Sequence, residues 1–119
     1  MTALSTRLFA LCLAFAALLA GWLPDSASAQ SRDRHDRRMV VINDSRYVIR
    51  EFYATNTGVN VWGRDLLGAS VIRPGQRYIF NFDDGSGYCM FDFRAVLENG
   101  RPVERYRVNV CQYSSWTIH

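Results

Sequence analysis

The chain has no lysine and only two histidines among its 119 residues. His35 lies in a polar stretch and His119 is the last residue. Neither stands where a fold would hold it rigidly, so a Ser-His-Asp or Cys-His arrangement lacks its base and a zinc site lacks ligands. No glycine-rich phosphate loop follows a strand and opens a helix. Asp83 and Asp84 are adjacent, so their carboxylates diverge on an extended chain, which is poor geometry for a glycosidase pair. A small domain also leaves little room for a substrate pocket. The site tests for catalysis fail together, and the expectation is a protein that is not an enzyme and carries no cofactor.

Long apolar runs are equally scarce. The longest, Leu8 to Leu23, falls short of the roughly 20 residues of a membrane-spanning helix and is followed by Pro24. Arg7 precedes it and Ala27-Ser28-Ala29 follows, the pattern of a Sec-type signal peptide over residues 1–29 with cleavage after Ala29. No arginine pair stands ahead of the run, since Arg37-Arg38 lies beyond it. Cys12 sits inside the run behind Leu11 and not behind a small residue at its end, which argues against lipid attachment. The expected destination is the periplasm or the medium, with no stable membrane span after cleavage.

Cysteine is also rare. Of three, Cys12 leaves with the signal, and Cys89 and Cys111 remain. An even pair in a small exported domain predicts one disulfide. Closing that loop is worth about 3 kcal/mol in the chain-entropy model. The staple matters because a domain this small buries only about 60% of its unfolded surface. All basic residues are arginine, and the net charge of +3 is mild, with the signs interspersed. Nothing in it implies nucleic acid.

What is present is mostly strand. Residues 30–38 offer no apolar side chain to bury and read as a flexible polar tail, leaving a single β domain over residues 39–119. Met39-Val40-Val41-Ile42 is a short β-rich run, closed by Asn43-Asp44-Ser45. Tyr47 to Ala54 is a second strand whose alternation slips between Ile49 and Phe52, which predicts a bulge. Arg73-Pro74-Gly75-Gln76 is a type II turn, and Arg77 to Phe82 places Tyr78, Phe80 and Phe82 on one face. Tyr88 to Leu97 puts Cys89, Phe91, Phe93, Ala95 and Leu97 on one face, and Asn99-Gly100 signals a hairpin to Arg101–Val110. A two-residue turn there sets Phe93 against Tyr106, Asp92 against Arg107 and Arg94 against Arg105. Cys89 then faces Val110, so the disulfide calls for a one-residue bulge near Asn109 or Val110. Ser115 to Ile118 completes the set. The fold class is all-β: a small antiparallel β-sandwich (Ig-like or C2-like) or barrel of six to seven strands with one disulfide, preceded by a signal peptide.

Asn43, Tyr47-Val48-Ile49, Phe52-Tyr53, Trp62-Gly63-Arg64-Asp65-Leu66-Leu67-Gly68, Pro74-Gly75, Cys89, Phe91-Asp92-Phe93-Arg94, Asn99-Gly100 and Val108-Asn109-Val110-Cys111 form a recurring pattern. It resembles a family of small exported bacterial proteins of unknown function, often labelled Tat pathway signal proteins. The resemblance implies a bacterial source and a periplasmic or secreted location. It brings no catalytic residues.

Three groups of residues invite functional readings. Trp62 to Gly68 reads as a recognition loop, with Trp62 an aromatic anchor and Arg64 and Asp65 polar contacts, or else as a plug in which Trp62, Leu66 and Leu67 close one end of the sandwich. Asp83-Asp84-Gly85-Ser86-Gly87 is a weak calcium candidate or a plain turn; the EF-hand pattern fails, since its twelfth position holds Arg94. Arg94, Arg105 and Arg107 share one face in the expected register, where an anion or a neighbouring acid would relieve their repulsion. The function expected is that of a binding or accessory module of the bacterial cell envelope, with a protein or other envelope component as its partner. The alternatives are a secreted inhibitor or effector that blocks another protein, and a calcium- or anion-binding sensor.

Overall fold

The structure, a computed structural model, describes residues 30–119; the expected signal peptide and its cleavage site lie outside the described residues. Six strands follow in order: β1 (Arg38–Asn43), β2 (Ile49–Asn56), β3 (Arg77–Asn81), β4 (Met90–Leu97), β5 (Pro102–Asn109) and β6 (Ser115–Ile118). They form two three-stranded sheets, β3-β1-β6 and β2-β4-β5. No helix occurs among the described residues. Every pairing is antiparallel except β1 with β6, which run parallel.

The inward faces follow the period of two that a pleated strand imposes. Met39 and Val41 of β1, Phe91, Phe93, Ala95 and Leu97 of β4, and Trp116 and Ile118 of β6 are all buried. Phe52 of β2 joins the two layers: its ring lies 4.5 Å from Phe80 and 6.0 Å from Phe82 on one side, and 5.6 Å from Phe93 on the other. Offset and tilted rings at such spacings add about 1 kcal/mol per pair beyond the area they bury. The expected bulge in β2 is present, with the register to β4 slipping between Ile49 and Glu51. Ile49 and Phe52, three apart, therefore both face the core.

The β4–β5 hairpin departs from expectation. Its loop has three residues, not two: Leu97 N–H donates to Arg101 O, and Gly100, at φ 83°, supplies the left-handed residue that ends a type I turn. The register next to the loop is therefore displaced by one, with Phe93 opposite Arg105 and Arg94 opposite Glu104. Arg94 does not face Arg105; it sits 3.7 Å from the Glu104 carboxylate, and the expected like-charge face is absent. A bulge opposite Asp92, where Arg107 takes φ 55°, restores the expected pairing of Phe91 with Val108 and Met90 with Asn109. No bulge at Asn109 or Val110 is needed for the disulfide. The strand ends at Asn109, whose carbonyl accepts from Gln112 and Tyr113, and that turn carries Cys111 back to Cys89 at a Cα separation of 5.3 Å.

Residues 31–37, expected to be a loose tail, are attached to the fold. The expectation rested on the lack of an apolar side chain; the segment buries a charged one instead. Arg37 is 2% exposed, with its guanidinium clamped on the Asp33 carboxylate and on the carbonyls of Gly87 and Tyr88. Ser31 adds a second tie, donating its N–H and hydroxyl to Asp83 and accepting the Gly87 N–H.

Candidate functional site

The Trp62–Gly68 stretch lies in the long connection between β2 and β3, and it divides in two. The Asp65–Leu67 half belongs to the scaffold. β2 is an edge strand of its sheet, and an unpaired edge invites pairing with other chains. Asp65 Oδ1 accepts the N–H of Phe52 at 2.9 Å and of Leu67 at 2.9 Å, and the Leu66 N–H donates to Phe52 O at 2.7 Å. Ile72 exchanges both of its backbone hydrogen bonds with Ile49. The loop thus covers the β2 edge, and Leu67, 4% exposed, fills the core below it. Asp65, expected as a polar contact for a partner, is engaged with its own backbone. Gly63 and Gly68 hold φ values of 75° and 56° with no heavy atom near a would-be Cβ, so backbone conformation and not crowding calls for glycine.

The other half faces outward. Val59 and Val61 are 42% and 67% exposed, and Trp62 is half-buried against Tyr106, with ring centroids 6.3 Å apart and planes tilted by 41°. Thr55, Asn60 and Asp92 complete a groove of about 210 Å³ on the outer face of the β2-β4-β5 sheet. Adjoining it, and sharing Thr55, Val59, Val61 and Trp62, a second groove of about 460 Å³ runs from Trp62, Arg64 and Leu66 to Phe82, Phe91, Asp83 and Asp84. A contiguous exposed apolar surface with a polar rim is the mark of a binding site, unlike apolar residues scattered singly. Tyr106 was not singled out in the sequence, because the expected register turned it toward Phe93.

The Asp83–Gly87 loop has its oxygens engaged. Asp83 accepts from Ser31 and from Gly85 N–H; Asp84 accepts from Asn56 Nδ2 at 2.7 Å and from the Ser86 N–H and hydroxyl. Burial raises both carboxyls, yet the hydrogen bonds, from the Ser31 hydroxyl to Asp83 and from Ser86 and Asn56 to Asp84, outweigh it and hold both below the ordinary carboxylate range. Among the described residues no third acidic, His or Cys side chain joins them in a metal-binding group. The geometry is that of a double Asx turn closed on the N-terminal segment.

The two histidines stay apart from these features. His35 lies in the N-terminal segment, where its backbone N–H donates to Asp33, and His119 places Nδ1 3.3 Å from an exposed Asp44 carboxylate. The disulfide closes the end of the sandwich opposite the hairpin loop, with Arg37 Nη2 3.7 Å from Cys89 Sγ. Comparison with protein-family models, with curated proteins and with solved structures returns no match.

Proposed function

We propose that this chain is an exported, non-catalytic binding module of the bacterial cell envelope, in keeping with the family it resembles, and that it recognises its partner through the outer half of the β2–β3 loop together with Tyr106. The observation that carries the reading is that exposed Val59, Val61 and Tyr106 stand with half-buried Trp62 along one groove, which none of the other exposed large apolar side chains lines. Aromatic anchors of this kind dominate recognition because they remove much area from water with few rotors to freeze. Asp65 and Leu67 hold the loop base against β2, so the anchor is presented on a rigid support. The disulfide suits an oxidising compartment.

The test is retention on isolated envelope fractions of the wild-type protein against Trp62→Ala and a distant control, Ile79→Ala, which removes an exposed apolar side chain from the other sheet. Loss of retention in Trp62→Ala alone is the expected outcome. Equal retention of all three proteins rejects the loop as the recognition element.

A further inference from the structure

The three-residue hairpin loop and the compensating bulge at Arg107 together decide where Tyr106 points. In an unbroken ladder with a two-residue turn, Tyr106 stands opposite Phe93 and shares its inward face. In the structure Arg105 takes the place opposite Phe93, and Tyr106 is 58% exposed beside Trp62 and Asp92. A one-residue shift exchanges the two faces of a strand, which is how a bulge re-aims a side chain. The device has an energetic cost. Arg107 holds φ 55°, a left-handed conformation unusual for arginine, and its N–H is fixed on Asp92 Oδ1 at 2.9 Å. Backbone strain of this kind persists where the surroundings over-determine it, and it clusters at ligand sites. The bulge lets Tyr106 stand outward beside Trp62 while Val108, two residues on, still faces the core.

The chemistry around the pair narrows the ligand. The groove lining of Thr55, Val59, Asn60, Val61, Trp62, Asp92 and Tyr106 contains no arginine, in a chain whose every basic residue other than histidine is arginine. An anionic ligand there meets the Asp92 carboxylate and no cation; Arg64 lines only the adjoining groove. The one carboxylate in the groove, Asp92, is already engaged by the Arg107 N–H, and the molecule as a whole carries a net charge of +3, so little favours a small cation there. A neutral ligand remains. Thr55, Asn60, Asp92 and the Tyr106 hydroxyl offer both donors and acceptors, as a set of hydroxyl groups requires. The rings and the two valines supply apolar faces next to them. At about 210 Å³ the groove is smaller than the roughly 300–1,000 Å³ of clefts for drug-sized ligands, so it admits one ring and leaves the rest of a chain outside.

We propose that the Trp62–Tyr106 groove is a carbohydrate-binding subsite that stacks one ring of a neutral glycan on its aromatic pair and hydrogen-bonds the ring hydroxyls through Asn60, Thr55 and Asp92. The proposal rests on the binding-module reading and adds the ligand class to it. The test is calorimetric titration of the full chain, expressed with its own leader and purified as exported, with cellotetraose and chitotetraose, and with tetramethylammonium chloride as a cationic control. Saturable binding of at least one oligosaccharide is expected, weakened about tenfold or more by Trp62→Ala and by Tyr106→Ala, and weakened less by Tyr106→Phe, which keeps the ring, and by Asp92→Asn, whose amide still bonds a hydroxyl and accepts the Arg107 N–H. Silence toward both sugars overturns the proposal, as does sugar binding indifferent to both alanine variants. Binding of tetramethylammonium alone, abolished by Asp92→Asn, assigns the groove to an alkylammonium instead. If the sugars are silent while envelope retention still depends on Trp62, only the ligand class fails; if retention is also independent of Trp62, the binding-module reading fails with it.

Discussion

Arg37 shows how far one side chain can change the reading of a segment. Residues 30–38 carry nothing that a hydrophobic core would take up, and on that ground they belong in solvent. Yet Arg37 is buried, and its donors satisfy two carbonyls of the β3–β4 loop, Tyr88 O at 2.8 Å and Gly87 O at 3.0 Å. The charge is compensated by Asp33, whose hydrogen bond raises the guanidinium further above its ordinary range. Removing one member of such a set leaves the others desolvated and unpaired, which is worse than never having built it. Arg37→Leu is expected to lower stability by about 3 kcal/mol through the two orphaned carbonyls, read as a shift of the urea midpoint with unchanged slope. Arg38→Leu, whose ion pair with Asp36 is open to water, should leave the midpoint in place, and equal shifts for the two variants would refute the clamp. Asp65 makes the same point inside the loop. Asp65→Ala strips the acceptor from the N–H of fully buried Phe52 and should cost about 2 kcal/mol, while Asp65→Asn retains an acceptor oxygen and should cost less. Both roles escape a reading of sequence, because they depend on carbonyls and amides that only the folded chain brings within reach.

At the scale of elements, what was legible and what was not separate along a physical line. Alternation of apolar residues located β3 and β4, a β-rich run located β1, and the slip between Ile49 and Phe52 located the β2 bulge, because these are local patterns written by burial on one face. The hairpin differs by one residue from the expected one because Asn99-Gly100 suits a two-residue turn and also the last two positions of a three-residue loop, and the local pattern does not choose between them. That single residue moved Arg105 opposite Phe93, paired Arg94 with Glu104, and brought Tyr106 out to Trp62. Half of the candidate site was thus visible as the Trp62 loop, and the other half was hidden by a register error. The strained bulge gives a direct prediction. Glycine adopts φ 55° freely, so Arg107→Gly should match or exceed wild-type stability by up to about 1 kcal/mol, whereas β-branched Arg107→Val should lose about 1–2 kcal/mol. Thermal unfolding of the two variants orders them, and a valine variant as stable as the glycine one would show that the position is not held left-handed.

The whole molecule is stapled at one end. There the N-terminal segment, the β3–β4 loop and the turn after β5 meet through three kinds of bond: Ser31 on Asp83 and Gly87, Arg37 on Gly87 and Tyr88, and Cys89 on Cys111. Two consequences follow from their different physics. The Asp83 and Asp84 carboxyls titrate below their ordinary range, so their contribution is fully present above the unfolded value near 3.9 and is lost as pH falls through the lowered folded values. Urea unfolding at pH 7 and pH 3 should show a larger loss for wild type than for the Asp83→Asn, Asp84→Asn double variant, which has no proton to take up there. The disulfide acts on the unfolded chain instead and is indifferent to acid. It joins residues 22 apart, and the closed loop limits the disordered ensemble by about 3 kcal/mol. Cys89→Ser with Cys111→Ser should lower stability by that amount at both pH values. Because Arg37 Nη2 lies 3.7 Å from Cys89 Sγ, the disulfide and the guanidinium clamp share one neighbourhood, and their losses should not add. A double-mutant cycle combining Arg37→Leu with the paired serines measures that coupling. A sum equal to the two separate losses would show the clamp and the disulfide to be independent supports of the N-terminal segment; a departure of about 0.5 kcal/mol or more is expected if they hold it as one unit.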